Sequence, residues 1–523
     1  MKAVFTFIGA LALSAALTAA LVGQAPPVNV TTATILKPAA DSWPTYNGDY
    51  SGRRFSPLTR ITAANAKHLS LAWAVDTPGG QIKATPLIVN GVAYISTPDH
   101  AFAIDARTGR ELWHYTWLRN RGGIHIGNRG VALFRDTLYF VTPDCNLVAL
   151  EAATGKEKWF TEICSLEMVY YASIAPVVVK DMLILGVSGD DLDQPGYLDA
   201  RSPVDGKLIW RWYVTPQKEG DPGLETWPNL DMARHGGGMI WQPVTYDPEA
   251  NLIYATTGNP QPVIAHKNRP GANLFTASIV ALNADTGKMA WYFQSSPRDS
   301  HDLDSTQTAV LFDVPGRGRF VAQAARNGKF FVLDRLTGKA VVSAEYIKTL
   351  QFLGYDERGQ PVPNPKKDPT PDGNISTGSA TNWYPPAYSP QTQLFYVNAA
   401  RPIGIYYVYD TSDNPMGWGG GGGGGGAAGE EPSIKAIDIR TGEIRWATPK
   451  HGGGNGGLVV TAGNVLFGSG SGGIAAYNAT TGAPLWASRI GNISNGIITY
   501  LLDGKQYVLA SAGARLHAFV LNE

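Results

Sequence analysis

Ala103-Ile104-Asp105-Ala106-Arg107-Thr108-Gly109, followed by Trp113, is the stretch that decides the fold, because the chain repeats it. A second copy runs from Ala149 through Thr154-Gly155 to Trp159, and further copies end at Trp210, Trp291, Trp446 and Trp486. A degenerate copy from Val332 through Thr337-Gly338 lacks the tryptophan and brings the number to seven. Each copy reads as strand, tight turn, strand. Alternating apolar residues precede the Asp, D-x-x-T-G makes the turn, and its glycine supplies positive φ. The Trp then begins an outer strand, where its ring is expected to dock between neighbouring units with its N–H still partnered. A four-stranded unit of this kind cannot bury both faces alone, so radial stacking has to close the core. The expected fold is all-β, an eight-bladed β-propeller of four-stranded antiparallel blades with Trp-docking repeats.

The eighth blade is expected from both ends of the chain. Gln506–Val520 reads as inner strands, and Leu69-Ser70-Leu71-Ala72-Trp73 supplies the outer one. Sharing a blade closes the ring and removes exposed strand edges. Long gaps before Trp291 and Trp446 hold insertions, which on one propeller face commonly build a functional site. The last insertion contains Gly419–Gly426, eight consecutive glycines. Such a run is expected to be a flexible, disordered loop without chemistry of its own.

Bulk composition narrows the function. The 523 residues carry 43 basic and 43 acidic side chains, so no net field steers the chain to nucleic acid or an anionic membrane. Met1-Lys2, an apolar run to about Val22 and Gly23-Gln24-Ala25 describe a secretory signal peptide at 1–25, with a retained anchor as the alternative. A polar linker at 26–40 and one propeller at 41–523 follow, with no stable membrane insertion once the signal is cleaved and a periplasmic location. The two cysteines, Cys145 and Cys164, form either a disulfide or a pair of buried thiols on neighbouring strands. The absence of C-x-x-C-H excludes covalent c-type haem. The nine histidines show no metal-ligand spacing, and no G-x-S-x-G elbow supports a hydrolase.

Together with Trp43-Pro44-Thr45-Tyr46-Asn47-Gly48 and Arg54-Phe55-Ser56-Pro57-Leu58, the repeat resembles the quinoprotein dehydrogenases. These are the methanol/ethanol dehydrogenase family, which uses pyrroloquinoline quinone (PQQ). Non-catalytic propellers of the outer-membrane assembly type share the blade phrase, so function has to be argued from the site. Gly127-Asn128-Arg129-Gly130 resembles the family's N-R-G, which implies that Arg129 contacts a PQQ carboxylate. By the same resemblance Ser173 gives the cofactor a hydroxyl, Ser188-Gly189-Asp190-Asp191 stands at the cofactor and metal stretch, and Trp241 is the floor beneath the quinone. Thr257-Gly258-Asn259-Pro260 is similar to T-G-N-P, implying Asn259 as a metal ligand beside Asp191. Asp299-Ser300-His301-Asp302-Leu303-Asp304-Ser305-Thr306-Gln307 resembles D-x-W-D-x-D-x-x-Q, which implies Asp302 as catalytic base and metal ligand. Arg326 falls where the family carries a cation beside the quinone oxygen, and Asn382-Trp383 fits a ring-contacting pair.

These residue types suit alcohol oxidation. A quinone carbonyl needs a cation to polarise it, and oxygen donors such as Asp191, Asn259 and Asp302 suit a hard one. Arg326 would stabilise charge developing on the reduced quinone oxygen, and Asp302 would take the hydroxyl proton. Asp304, if it points inward, adds a third carboxylate that favours a lanthanide over Ca²⁺. The implied activity is a PQQ-dependent dehydrogenase for an alcohol or sugar-like substrate, passing electrons to a soluble cytochrome c. The competing reading is a non-catalytic scaffold, which has no need of Asp191, Asn259, Asp302 and Arg326 together.

Several positions depart from the family pattern. Gly123-Ile124 stand where many relatives have adjacent cysteines, leaving His125 and Ile126 to cover the quinone. His301 replaces a Trp, and Lys83 lies where relatives tend to have Glu. Methanol is therefore not carried over as the substrate.

Overall fold

The computed structural model describes residues 25–123, 127–189, 193–409, 422–449 and 456–522. The expected signal peptide therefore lies outside the described residues, apart from Ala25. Among the described residues no helix is long and apolar enough to cross a membrane.

One blade shows how the repeat folds. Thr245–Asp247, Leu252–Thr256, Ser278–Asn283 and Met289–Gln294 pair antiparallel in sequence order. The first three strands are buried on both faces and only the last is part exposed, so they read as short apolar runs rather than as alternation. Eight such four-stranded units occur among the described residues, with first strands opening at Leu87, Ala132, Val177, Thr245, Val310, Ala387, Val459 and Ile498. They are numbered here from one to eight in that order. Blade eight joins Ile498–Leu502, Lys505–Ala512 and Arg515–Leu521 to Leu69–Asp76, with Trp73 opposite Ala518.

Tryptophans lock most blades to the next. Indole N–H groups of Trp73, Trp113, Trp210, Trp291, Trp446 and Trp486 donate to backbone carbonyls of the following blade at 2.9–3.2 Å. Trp486 reaches Leu69 and Trp73 reaches Ala106, so the chain of docked rings passes through the closing blade. A one-residue bulge precedes each ring; Ala103 faces Trp113 while Ile104 faces Glu111, and this slip re-aims the indole. The turn glycine is needed twice over. Gly109 has φ +76°, and a Cβ there would stand 2.7 Å from the Trp73 ring. In the degenerate copy Val342 replaces the Trp, beside a cavity of about 30 Å³ lined by Phe312, Phe320, Val332, Val342 and Ile439.

Two segments differ from expectation. The glycine run is not a disordered loop where it is described. Gly422–Asp438 is a strand, and Gly422, Gly423, Gly424 and Gly425 pair with Val408, Tyr407, Tyr406 and Ile405. The partner strand Leu394–Val408 is itself held on its other edge by Asn374–Thr377, so a backbone ladder supports residues that have no side chain to pack. Gly419, Gly420 and Gly421 lie outside the described residues. The segment expected as a linker, 26–40, is packed. Val30 pairs with Arg135, Ile35 is fully buried, and Thr31 caps a short helix, Thr32–Leu36. Cys145 and Cys164 are joined in a disulfide that ties two loops of blade two.

Antiparallel order divides the connections between two faces. Links from second to third strand and from one blade to the next all open on one face; the D-x-x-T-G turns lie on the other. Every candidate site residue belongs to the first set of links.

Candidate active site

Two groups of side chains meet on that face. The first begins at Arg129, on the link between blades one and two. Its Nη1 donates to Ser173 Oγ at 2.5 Å, and Ser173 Oγ lies 2.8 Å from Ser188 Oγ. The Arg129 guanidinium sits 4.3 Å from the Trp241 ring centroid and 5.3 Å from that of Trp383. Trp383 stacks on Tyr384 at 4.2 Å, and its backbone N–H donates to the Asn382 side-chain oxygen. Gly189, at φ +144°, closes the Ser188 loop. Five blade connections thus converge on one flat aromatic slot.

The second group is held by Arg326, on the second-to-third-strand link of blade five. Its Nη1 donates to Asp304 at 2.8 Å and its Nη2 to Asp302 at 3.0 Å, while Nε donates to Ser379 Oγ at 2.9 Å. Its backbone N–H donates to Gln307. Asn259 N–H donates to the other Asp304 oxygen at 2.7 Å, and Asn259 Nδ2 lies 3.4 Å from Asp302. Burial separates the acids, since the Asp302 side chain is 50% exposed and that of Asp304 only 3%. Burial pushes the Asp304 carboxyl up, and Arg326 acts against that push.

The acid-bearing loop is shaped from within. Asp299 accepts backbone N–H bonds from His301 and Leu303, and Asp302 turns outward at φ +60°. Arg269, fully buried, donates to Asp299, Pro262 and Val263 carbonyls and so ties this loop to the one carrying Asn259. His301 lies between Lys367 O and Ser300, with its ring 4.8 Å from Tyr406. Burial pulls its pKa down to about 4, so it is neutral near pH 7. Tyr406 is pushed up to about 12 by burial and then by Asp302 and Asp299.

Asp190 and Asp191 lie outside the described residues, as do Ile124, His125 and Ile126. The remaining expected residues fall into the two groups above. Sequence motifs missed Ser379, Tyr406 and Arg269, whose roles come from tertiary approach. Ser379 alone carried a signal, standing three residues before Asn382.

The residues present fit a planar polyanion with a hard cation. Trp241 Nε1 is buried without a hydrogen-bond partner, beside an aromatic slot that takes a flat group. Lys83 lies against Gly127, and burial together with Arg129 lowers its pKa, so two cations share one wall. Among the described residues no three His, Cys, Asp or Glu side chains gather as a metal cluster by themselves. A cation beside Asp302 therefore needs neutral oxygens and cofactor donors as well.

Comparison with known proteins shows the family. Residues 43–373 match the family profile described as glucose/ethanol/alcohol dehydrogenase, beta-propeller domain. Residues 430–521 match that of the outer membrane protein assembly factor BamB, which shares the blade phrase. A quinohemoprotein alcohol dehydrogenase of Comamonas testosteroni is 34% identical over 90% of this chain and 72% of its own. A 1-butanol dehydrogenase (cytochrome c) of Thauera butanivorans is 32% identical over 91% of this chain and 75% of its own. A europium-containing methanol dehydrogenase superposes with a TM-score of 0.85 at 26% identity, covering 93% of this chain and 99% of that one. The chain belongs to the PQQ-dependent alcohol dehydrogenase family.

Proposed function

We propose that this family member oxidises an alcohol or sugar-like substrate in the periplasm, with Asp302 as base and a soluble cytochrome c as electron acceptor. The observation that carries the proposal is Arg326 bridging Asp302 and Asp304 beside Asn259, on loops from blades four and five. A scaffold does not need a guanidinium clamped between two carboxylates of such unequal exposure.

Each side chain has a task in this reading. Asp302 is open to substrate and lies 3.0 Å from a cation that favours its ionised form, so its carboxylate accepts the hydroxyl proton. Arg326 stabilises negative charge that develops next to it. Arg129, Ser173, Ser188 and Gly189 receive the cofactor's anionic edge, with Asp190 beside them by sequence. Trp241, Trp383 and Asn382 fix its plane. Asp302, Asn259 and Asp304, with Asp191 by sequence, would hold the metal ion, and three carboxylates would favour a lanthanide over Ca²⁺. Pyrroloquinoline quinone, when bound, would supply a hydride-accepting carbonyl, and a cation held there would make it more electrophilic. The cytochrome acceptor is supported by the printed name of the Thauera relative, a 1-butanol dehydrogenase (cytochrome c).

Reconstitution tests the proposal. Purified apo-protein is titrated with PQQ in the presence of La³⁺ or Ca²⁺ and followed by absorbance and dye-linked alcohol oxidation. Quinone uptake with turnover, greater with La³⁺, is expected. No uptake with either ion overturns the enzyme reading, and equal turnover with both removes the lanthanide preference.

A further inference from the structure

Blade one carries a cluster that the quinone chemistry does not use. His100 opens the strand His100–Asp105, and His114 lies in the neighbouring strand Glu111–Thr116. The register sets His100 opposite Thr116 and Phe102 opposite His114, so the three polar side chains share one face of the ribbon. His100 Nδ1 stands 2.9 Å from His114 Nε2 and 3.2 Å from Thr116 Oγ1, and His114 Nε2 stands 3.3 Å from the same hydroxyl.

We propose that His100, His114 and Thr116 form a binding site for a divalent first-row transition ion, Cu²⁺ or Zn²⁺, independent of the quinone site. An ion about 2.0–2.1 Å from each donor sets its ligands about 2.9 Å apart at right angles and about 3.4 Å apart in a tetrahedron. All three edges of the triangle lie within that interval, so the three donors already stand at chelating separations, and a small rotation of the rings aims them at one ion.

The surroundings support the geometry. The Phe102 ring lies 4.4 Å from the His114 ring and 6.0 Å from that of His100, both nearly parallel, which fixes the imidazole planes. Gly79 crowds the far edge of His100, where a Cβ would come 2.4 Å from Cδ2. Burial lowers the pKa of both imidazoles, and neutral imidazole is the ligating form. Asp99 adds negative charge next to His100. His114 is exposed, so the ion is reached from solvent and water completes its shell. Two nitrogens and a hydroxyl suit Cu²⁺ first and Zn²⁺ next, and suit the hard ions of the quinone site poorly. The bound ion would brace the third and fourth strands of blade one.

The test uses tag-free full chain loaded with PQQ and La³⁺ or Ca²⁺, so that the quinone site is filled. Titration calorimetry with Zn²⁺ should show one equivalent per chain, and Cu²⁺ should give an electron paramagnetic resonance spectrum with couplings from two imidazole nitrogens. His114→Gln and His100→Asn should each weaken binding by at least the roughly tenfold that loss of an outer-shell partner costs, with quinone absorbance unchanged. Crystals of the unsubstituted protein soaked in Zn²⁺ should show an anomalous peak between the two imidazoles. No uptake, no such peak, or uptake that survives both substitutions overturns the proposal.

Discussion

Arg326 holds two acids of unlike character, and the difference between them decides what each can do. Asp304 is buried and accepts bonds from Arg326 and from the Asn259 backbone, whereas Asp302 is half exposed. Asp302→Asn keeps the shape and the Arg326 contact but removes the proton acceptor. Turnover is expected to fall by about 10²–10⁴-fold while quinone absorbance persists, as steady-state assay and titration would show; retained turnover would reject Asp302 as base. Much of this arrangement was legible in the sequence, because Asn259, Asp302, Asp304 and Arg326 each sit in a short motif. Ser379 and Tyr406 were not, since their approach to Arg326 and His301 depends on an insertion whose path only the fold determines. Lys83 was legible as a departure, but not as a neighbour of Arg129.

At the level of single elements, the docked tryptophan is the unit of blade-to-blade contact, and its one omission is informative. Val342 leaves a small cavity beside Ile439, the residue in the place of Ala106, Ala152 and Arg335 in the intact copies. Val342→Trp should fill this space and raise stability by about 1 kcal/mol, read from urea unfolding; a lower midpoint would mean the site is overpacked. The Cys145–Cys164 bridge, spanning 19 residues, ties the loop before Asn146–Glu151 to the link that leads to Ser173. Replacing both cysteines by alanine should cost about 3 kcal/mol by the chain-entropy argument, measured in the same way, and should weaken quinone retention. The strand formed by the glycine run shows the limit of composition as a guide. Glycine lacks side-chain interactions to announce a strand, yet its backbone pairs readily once Leu394–Val408 offers a ladder. Its neighbours in space, not in sequence, determine its state.

Across the whole molecule, the repeat and the two half-blades made eight blades and their closure readable, since each unit leaves a hydrophobic face that only a neighbour covers. The closing blade is also where acidity should act. His517 pairs with Ala74 across the join and with Ala510 on the other side. Burial, and then Arg515, lowers its pKa below the usual 6.5. A histidine with a depressed folded pKa contributes stability that is fully present above the unfolded value and is lost as pH falls below it. The melting temperature should therefore decline as pH falls below about 6.5, with buried His301 contributing as well, and His517→Asn should lessen that decline; an unchanged slope would remove His517 as a contributor.

The shared blade also imposes a timetable. Ser70 and Asn522 are bonded at a sequence separation of 452, so the strand beginning at Leu69 waits for nearly the whole polypeptide before its partner arrives. Until then its edge stays open to any passing strand, including that of another nascent copy. The last step of folding is thus a search over a very large loop, and contacts of such separation are slow to form. A strand that is paired in the finished propeller is thus left open throughout its making.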